Sequence, residues 1–230
     1  PFGVSKNVRP WCGSHGTYSK HAPKGCPVSA FDHQGILVTS MWLASEQGST
    51  QMTQCSASEV KGISYYTDQD VTLGQFLRDS CFNMSLKCQN PTCKKNVLEH
   101  TLSFVHKDGQ ININVETMDA RLPTEAEYRA AMGEAPEEIQ ENSLRDDDGI
   151  AMWSYCTRCA KVVTPLCFMD DDTWRFSFGK FLEVSFYNKV ATINDLLGEG
   201  SDDSKPCCGH NMQSDMILYF GCKKLAARFT

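Results

Sequence analysis

Three short cysteine and histidine pairs constrain this chain more than anything else in its sequence: Cys88-Gln-Asn-Pro-Thr-Cys93, Cys156-Thr-Arg-Cys159 and Cys208-Gly-His210. Structural zinc takes four thiolate or imidazole ligands, so a turn that carries two of them already supplies half of a tetrahedral site. Between the first two pairs lie Thr101 to His106 and Gln110 to Glu116, β-rich runs around Lys107-Asp108-Gly109. An Asp-Gly step between such runs signals a hairpin, and alternation puts Ile111, Ile113 and Val115 on one face. A knuckle at either end of a hairpin is the layout of a zinc ribbon. Cys88, Cys93, Cys156 and Cys159 are therefore expected to form a first, four-thiolate site. Cys208 and His210 would begin a second, to which His106 at the hairpin tip or His100 at its base could add a ligand. Two other readings of the CxxC turn stay open: a redox dithiol, which usually opens a helix in a βαβ context, and a disulfide in an oxidising compartment.

A closed thiolate site has no open coordination position, so zinc held this way is structural and does not activate water. No Walker-type glycine loop, HExxH or GxSxG stands in the 230 residues, and no residue is assigned a catalytic role. Asp170-Asp171-Asp172 reads as a helix cap with favourable charge at the dipole's positive end, in preference to a carboxylate metal site. Of the twelve cysteines, Cys12, Cys26, Cys55 and Cys222 stand alone and Cys81 and Cys167 occupy apolar positions. All six read as buried or incidental thiols. His15, His21 and His33 read as surface histidines.

Residues 1–34 are rich in Gly, Pro, Ser and Lys without a period and read as a flexible arm ahead of a cysteine-rich domain over 35–230. The run from Gly35 to Leu43 and that from Val60 to Tyr66 read as strands joined by a long polar connection. Thr72-Leu-Gly-Gln75 has the form of a capping box, opening a short helix that ends near Phe82. Residues 119–148 hold ten Asp/Glu against three Lys/Arg and form an acidic insertion, with a helical turn around TEAEYRAAM. IAMWSYC and KVVTPLCF read as strands around the CTRC turn, and Leu225 to Phe229 as a final strand. Beyond Asp172, the residues Trp174, Phe178, Phe181 and Leu182 recur at helical spacing and predict one main amphipathic helix. No internal repeat is read. The expected class is α+β: a zinc-ribbon-like β-hairpin core with additional strands and that one helix.

A net charge of −6 disfavours nucleic acid as a partner, since backbone recognition needs a basic surface. No apolar run is long enough to span a bilayer and no secretory signal is visible, so a cytoplasmic chain with reduced thiols is expected.

Taken in order, FDHQGILV, YYTDQDVTLGQFLRDSCF, the first cysteine pair with His100 and FVHKDGQININVE, IAMWSYCTRC, DTWRFSFGKFLEVSFYN, CGHNMQSD and YFGCKKLAARF carry a resemblance over roughly residues 31–229. They resemble the cysteine-rich region of the PIKfyve-type phosphatidylinositol-3-phosphate 5-kinases. The resemblance implies a zinc-bearing spacer between a chaperonin-like domain and a C-terminal kinase domain. The parent would make phosphatidylinositol 3,5-bisphosphate, with ATP bound only in its kinase domain. It also implies contacts with those domains and with a scaffolding regulatory subunit, and a place peripheral to endosomal or vacuolar membranes. Carried over by position, Cys88, Cys93, His100, His106, Cys156, Cys159, Cys208 and His210 match the family's cysteines and histidines, while Gln213 replaces a histidine that the family generally has and Met216 stands where some members have one. Nothing resembles the kinase's nucleotide loop or catalytic aspartates, so this segment is expected to be a non-catalytic scaffold. The alternative is a self-standing zinc-ribbon module that binds a protein or a nucleic acid.

Overall fold

Alternating apolar and polar residues put ten segments of the described chain into strands. The computed structural model describes residues 34–45, 52–88, 90–93, 95–133, 149–187, 210–211 and 214–230. The strands are β1 (Gly35–Ser45), β2 (Met52–Gln54), β3 (Glu59–Ser64), β4 (His100–His106), β5 (Gly109–Thr117), β6 (Ala151–Cys156), β7 (Lys161–Val162), β8 (Cys167–Phe168), β9 (Met216–Cys222) and β10 (Leu225–Phe229). They form one antiparallel sheet in the order β2-β1-β4-β5-β10-β9-β6-β7. β3 lies beside β2 on the outer edge of β1, and β8 beside β7 on the outer edge of β6. The expected hairpin is β4–β5, closed by a two-residue turn with Lys107 in the left-handed region (φ 53°). It is not the core of a zinc ribbon. It sits in the middle of a wide sheet, between β1 and β10.

One face of that sheet is apolar. Ile36, Val38, Leu102, Phe104, Ile111, Ile113, Phe220, Ala227 and Phe229 are buried there, against helices that supply Phe76, Leu77, Trp174, Phe178, Leu182 and Phe186. Each large side chain buried this way contributes about 1.5–3 kcal/mol relative to leaving it in water. The opposite face of β4, β5 and β10 carries polar groups, with Gln110 Nε2 donating to Ser103 Oγ (2.9 Å) and Arg228 paired with Glu116 (3.5 Å). The period-two pattern of β5 thus sets which face of the hairpin meets the helices.

The capping box at Thr72 forms as read: Thr72 Oγ1 accepts from Gln75 N and Gln75 Oε1 accepts from Thr72 N. It opens α1 (Leu73–Phe76), which continues as a π turn over Leu77–Cys81 and ends at Phe82. In the acidic insertion, α2 (Glu125–Ala131) begins on a second capping box, at Thr124.

The single amphipathic helix is corrected to two, α3 (Asp171–Arg175) and α4 (Phe178–Tyr187). Of the three aspartates, Asp170 caps α3, its carboxylate accepting from Thr173 N at 2.7 Å. The break has a backbone cause. Leu73 N donates to Phe176 O (2.7 Å) and Phe178 N donates to Val71 O (2.9 Å), pulling Phe176 into an extended conformation (ψ 133°) between the helices. The helices then meet closely: a Cβ at Gly74 would lie 2.1 Å from the Trp174 ring, so only glycine fits. The expected N-terminal arm lies almost wholly outside the described residues, as do residues 134–148 of the insertion.

Candidate metal centres

The first centre begins with an irregularity at the sheet edge. Leu43 pairs with Gln54 and Ser40 with Glu59, so Met41 and Trp42 on β1 face the four residues Cys55 to Ser58. Such a bulge bends its strand and re-aims the side chains in it. Here Cys55 N and Ser56 N both donate to Trp42 O (2.8 and 3.3 Å), while Trp42 N donates to Ser56 Oγ (3.0 Å). The bulge sets the Cys55 sulfur 3.7 Å from that of Cys88. The knuckle that follows Cys88 is organised by Asn90. Its carbonyl accepts from Cys93 N (3.0 Å), its side-chain oxygen accepts from Thr92 N (3.0 Å), and its Nδ2 donates to Cys55 O (2.6 Å).

His100, the first residue of β4, is buried and completes the group. Its Nδ1 lies 2.7 Å from Asn96 O, a contact that requires the proton on Nδ1 and leaves Nε2 a lone pair. Nε2 lies 3.3 Å from the sulfurs of both Cys93 and Cys55. A ring nitrogen held by a backbone carbonyl while the other faces thiols is the arrangement of a metal-ligating histidine. The four ligand atoms of Cys55, Cys88, Cys93 and His100 all lie within 4.8 Å of one another. Tetrahedral zinc with ordinary bond lengths separates two sulfurs by about 3.8 Å and a sulfur from a nitrogen by about 3.5 Å. The observed spacings fit that polyhedron.

The thiols are unequal without a cation. Removal from water, with hydrogen bonds to Cys93 and Cys88, pushes the Cys55 thiol up to about 11, while a backbone hydrogen bond from Lys95 holds the Cys93 thiol below its ordinary value. A bound dication is what would ionise all three together.

The second centre lies at the turn between β6 and β7. Cys156 ends β6 fully buried, Cys159 N donates to its sulfur (3.3 Å), and Ala160 takes the left-handed conformation (φ 53°) that closes the knuckle. His210 Nδ1 lies 3.4 Å from Cys156 Sγ and 3.3 Å from Cys159 Sγ. Asp215 ties the two segments together: its carbonyl accepts from Thr157 N (2.8 Å), and its carboxylate pairs with Arg158 (3.2 Å) and accepts from Asn211 N (3.2 Å).

The structure therefore divides the expected four-thiolate group. Cys88 and Cys93 join Cys55 and His100, whereas Cys156 and Cys159 join His210, because β4, β5, β10 and β9 stand between β1 and β6. His106 belongs to neither centre. It lies at the far end of β4, roughly 20 Å along the strand from His100, with Nδ1 donating to Leu37 O and Nε2 accepting from Tyr187 OH, each at 2.7 Å. Cys208 and Gln213 lie outside the described residues. Cys55 is the residue that sequence reasoning misses. It sits 33 residues before Cys88 with no partner nearby in the chain, and only the sheet edge brings them together.

Among the described residues the fold and its two centres define a class: an antiparallel β-sheet domain with a few short helices and two cysteine–histidine clusters. The chain is 31% identical over 209 residues, 88% of its length, to a 1-phosphatidylinositol-3-phosphate 5-kinase of Arabidopsis thaliana. It is 30% identical over 196 residues to the 1-phosphatidylinositol 3-phosphate 5-kinase of Saccharomyces cerevisiae and 27% identical over 203 residues to that of Homo sapiens, matching 85% and 88% of its length. It spans only 10%, 7% and 8% of those three relatives. The chain is thus homologous to a segment, about a tenth in length, of the phosphatidylinositol-3-phosphate 5-kinases. No family model and no solved structure matches it. Among the described residues no helix is long and apolar enough to cross a membrane.

Proposed function

We propose that this segment is a non-catalytic scaffold of a phosphatidylinositol-3-phosphate 5-kinase, held together by two structural zinc ions. The observation that carries the reading is the first centre: three sulfurs and a carbonyl-anchored imidazole, spaced as a closed zinc site requires. Zinc at Cys55, Cys88, Cys93 and His100 would join the bulged edge, the knuckle and the start of β4. At the second centre Cys156, Cys159 and His210 would hold the other ion, with Cys208, two residues before His210, as the fourth ligand. In the parent, which would make phosphatidylinositol 3,5-bisphosphate on endosomal or vacuolar membranes, the segment would contact the chaperonin-like and kinase domains and a scaffolding regulatory subunit.

The test is metal quantification on the purified chain and on Cys93→Ser, Cys159→Ser and Cys208→Ser separately. Cys93→Ser is expected to lose one ion, and Cys159→Ser and Cys208→Ser the other. A wild-type chain that binds no zinc would overturn the structural-zinc reading. Lipid phosphorylation by the isolated chain would overturn the non-catalytic one.

A further inference from the structure

The two halves of the sheet match in a way the sequence does not display. The pair Thr39 and Val105 of β1–β4 corresponds to Ala151 and Gly221 of β6–β9, and every other pair of β6–β9 follows with the same offsets. In the β4–β5 hairpin Leu102 pairs with Ile113, as Leu218 pairs with Phe229 in the β9–β10 hairpin. The hairpin turns agree as well, Lys107 and Lys223 both taking the left-handed conformation at φ 53° and 57°.

The edge strands repeat too, including their irregularity. Leu43 with Gln54 and Ser40 with Glu59 correspond to Tyr155 with Val162 and Met152 with Cys167. At the bulge, Cys55 N donates to Trp42 O (2.8 Å) and Trp42 N to Ser56 Oγ (3.0 Å). In the second half Val163 N donates to Ser154 O (2.9 Å) and Ser154 N to Thr164 Oγ1 (2.7 Å). The helix that precedes each hairpin carries the residual sequence likeness: Thr72-Leu-Gly-Gln-Phe-Leu-Arg-Asp-Ser against Ser177-Phe-Gly-Lys-Phe-Leu-Glu-Val-Ser. Both begin on a hydroxyl cap that accepts from the residue three on, at 3.2 Å in each case. The reciprocal hydrogen bonds between residues 71–73 and 176–178 and the pairing of Thr72 with Ser177 lie on the local two-fold axis, as does Ile113 with Phe229. The two halves keep few residues in common at matched strand positions, and what they share is register, bulges and caps.

We propose that the chain is a tandem duplication of one metal-binding unit, and that the two centres are the same site with its ligands redistributed. This rests on the zinc reading above. The centres occupy matching corners, each at the end of the second strand from an edge, β1 or β6, and the start of its inner neighbour, β4 or β9. The cross-strand pair Ala44 and His100 is the counterpart of Cys156 and Met216. In the first half the ligand of that pair is His100 on the inner strand; in the second it is Cys156 on the outer one. The bulge residue is a ligand in the first half, Cys55, and Val163 in the second, where it packs on Cys156 and Met216. Position 216 is therefore a latent ligand position of the second centre.

The test moves the ligand across its strand pair in the full chain, read by cobalt(II) absorption and metal stoichiometry. Cys156→Ala alone is expected to lose the second ion. Cys156→Ala with Met216→His is expected to regain it, with cobalt bands shifted to the blue because imidazole replaces a thiolate. The reciprocal exchange, His100→Met with Ala44→Cys, is expected to keep the first ion with the opposite shift. Should a double variant that keeps its fold and its other ion bind no more metal at the altered centre than its single variant, the proposal fails. If both double variants fail to fold while both single variants fold, it fails as well. A wild-type chain without metal would instead overturn the zinc reading itself, before either exchange is made.

Discussion

The two centres differ in how much separate structure each draws together. The first takes ligands from a bulge, a knuckle and a strand, spread from Cys55 to His100. Two of these pieces are otherwise lightly fixed, since β2 has only three residues and the knuckle lies outside the sheet, whereas β4 is held by β1 and β5. The second takes two ligands from one turn that already belongs to the β6–β7 pair and is tied by Asp215 to the segment bearing His210. An ion at the first centre would organise its surroundings, whereas one at the second would reinforce a turn the backbone has already made. The lesson is that equal donor chemistry need not carry equal structural weight.

The sharpest way to break this comparison is to remove the metal. Chelation at neutral pH is expected to have the largest effect, because structural zinc sites are worth on the order of 10 kcal/mol in small zinc domains. Hydrogen exchange should then accelerate first in β2, β3 and the Cys88–Cys93 knuckle, and later around Cys156. Equal acceleration at both corners, or none, would refute the difference.

A second experiment separates the centres from the shared core. Leu182→Ala removes a fully buried side chain from the main core and is expected to cost about 2–5 kcal/mol in denaturant unfolding. Its zinc content should stay that of the wild type, since it touches neither centre.

The pH dependence sharpens the account of the first centre. With the Cys55 thiol pushed up to about 11, that group is protonated at neutral pH, and a metal must expel its proton to bind. Apparent zinc affinity is therefore expected to fall as pH falls, by about tenfold per unit for each proton displaced. Competition titrations at two pH values measure this slope, and a flat profile would contradict ligation by Cys55.

The smallest expected effect is at Asn90. Asn90→Ala removes the side-chain bonds to Cys55 O and Thr92 N and should cost about 1 kcal/mol, with weaker zinc binding at the first centre only. Weakening at both centres would mean that they are coupled.

Much of this molecule was legible in its residues. The capping box at Thr72, the β4–β5 hairpin, its apolar face and the CTRC turn between strands all follow from local chemistry that a few adjacent residues suffice to express. The grouping of the ligands did not follow. Cys88/Cys93 and Cys156/Cys159 frame a hairpin in sequence, and a zinc ribbon was the economical reading. The wide sheet instead inserts β10 and β9 beside the hairpin, and those strands come from the last residues of the chain. Likewise Asp170-Asp171-Asp172 announced a helix start, yet the break at Phe176 arises from hydrogen bonds to Val71 and Leu73, more than a hundred residues earlier.

By itself, then, the sequence determined that the chain carries paired cysteine turns with the spacing of metal ligands, which strand faces are apolar, where helices begin, and which kinases it resembles. Only the tertiary structure decided that Cys55 joins Cys88, Cys93 and His100, that His106 is occupied by Leu37 and Tyr187, and that two halves share one plan. The physical reason is range. Caps, turns and alternation are set by neighbours in the chain, whereas a coordination sphere and a local two-fold axis are set by strand order and register, which depend on the burial of the whole apolar face at once.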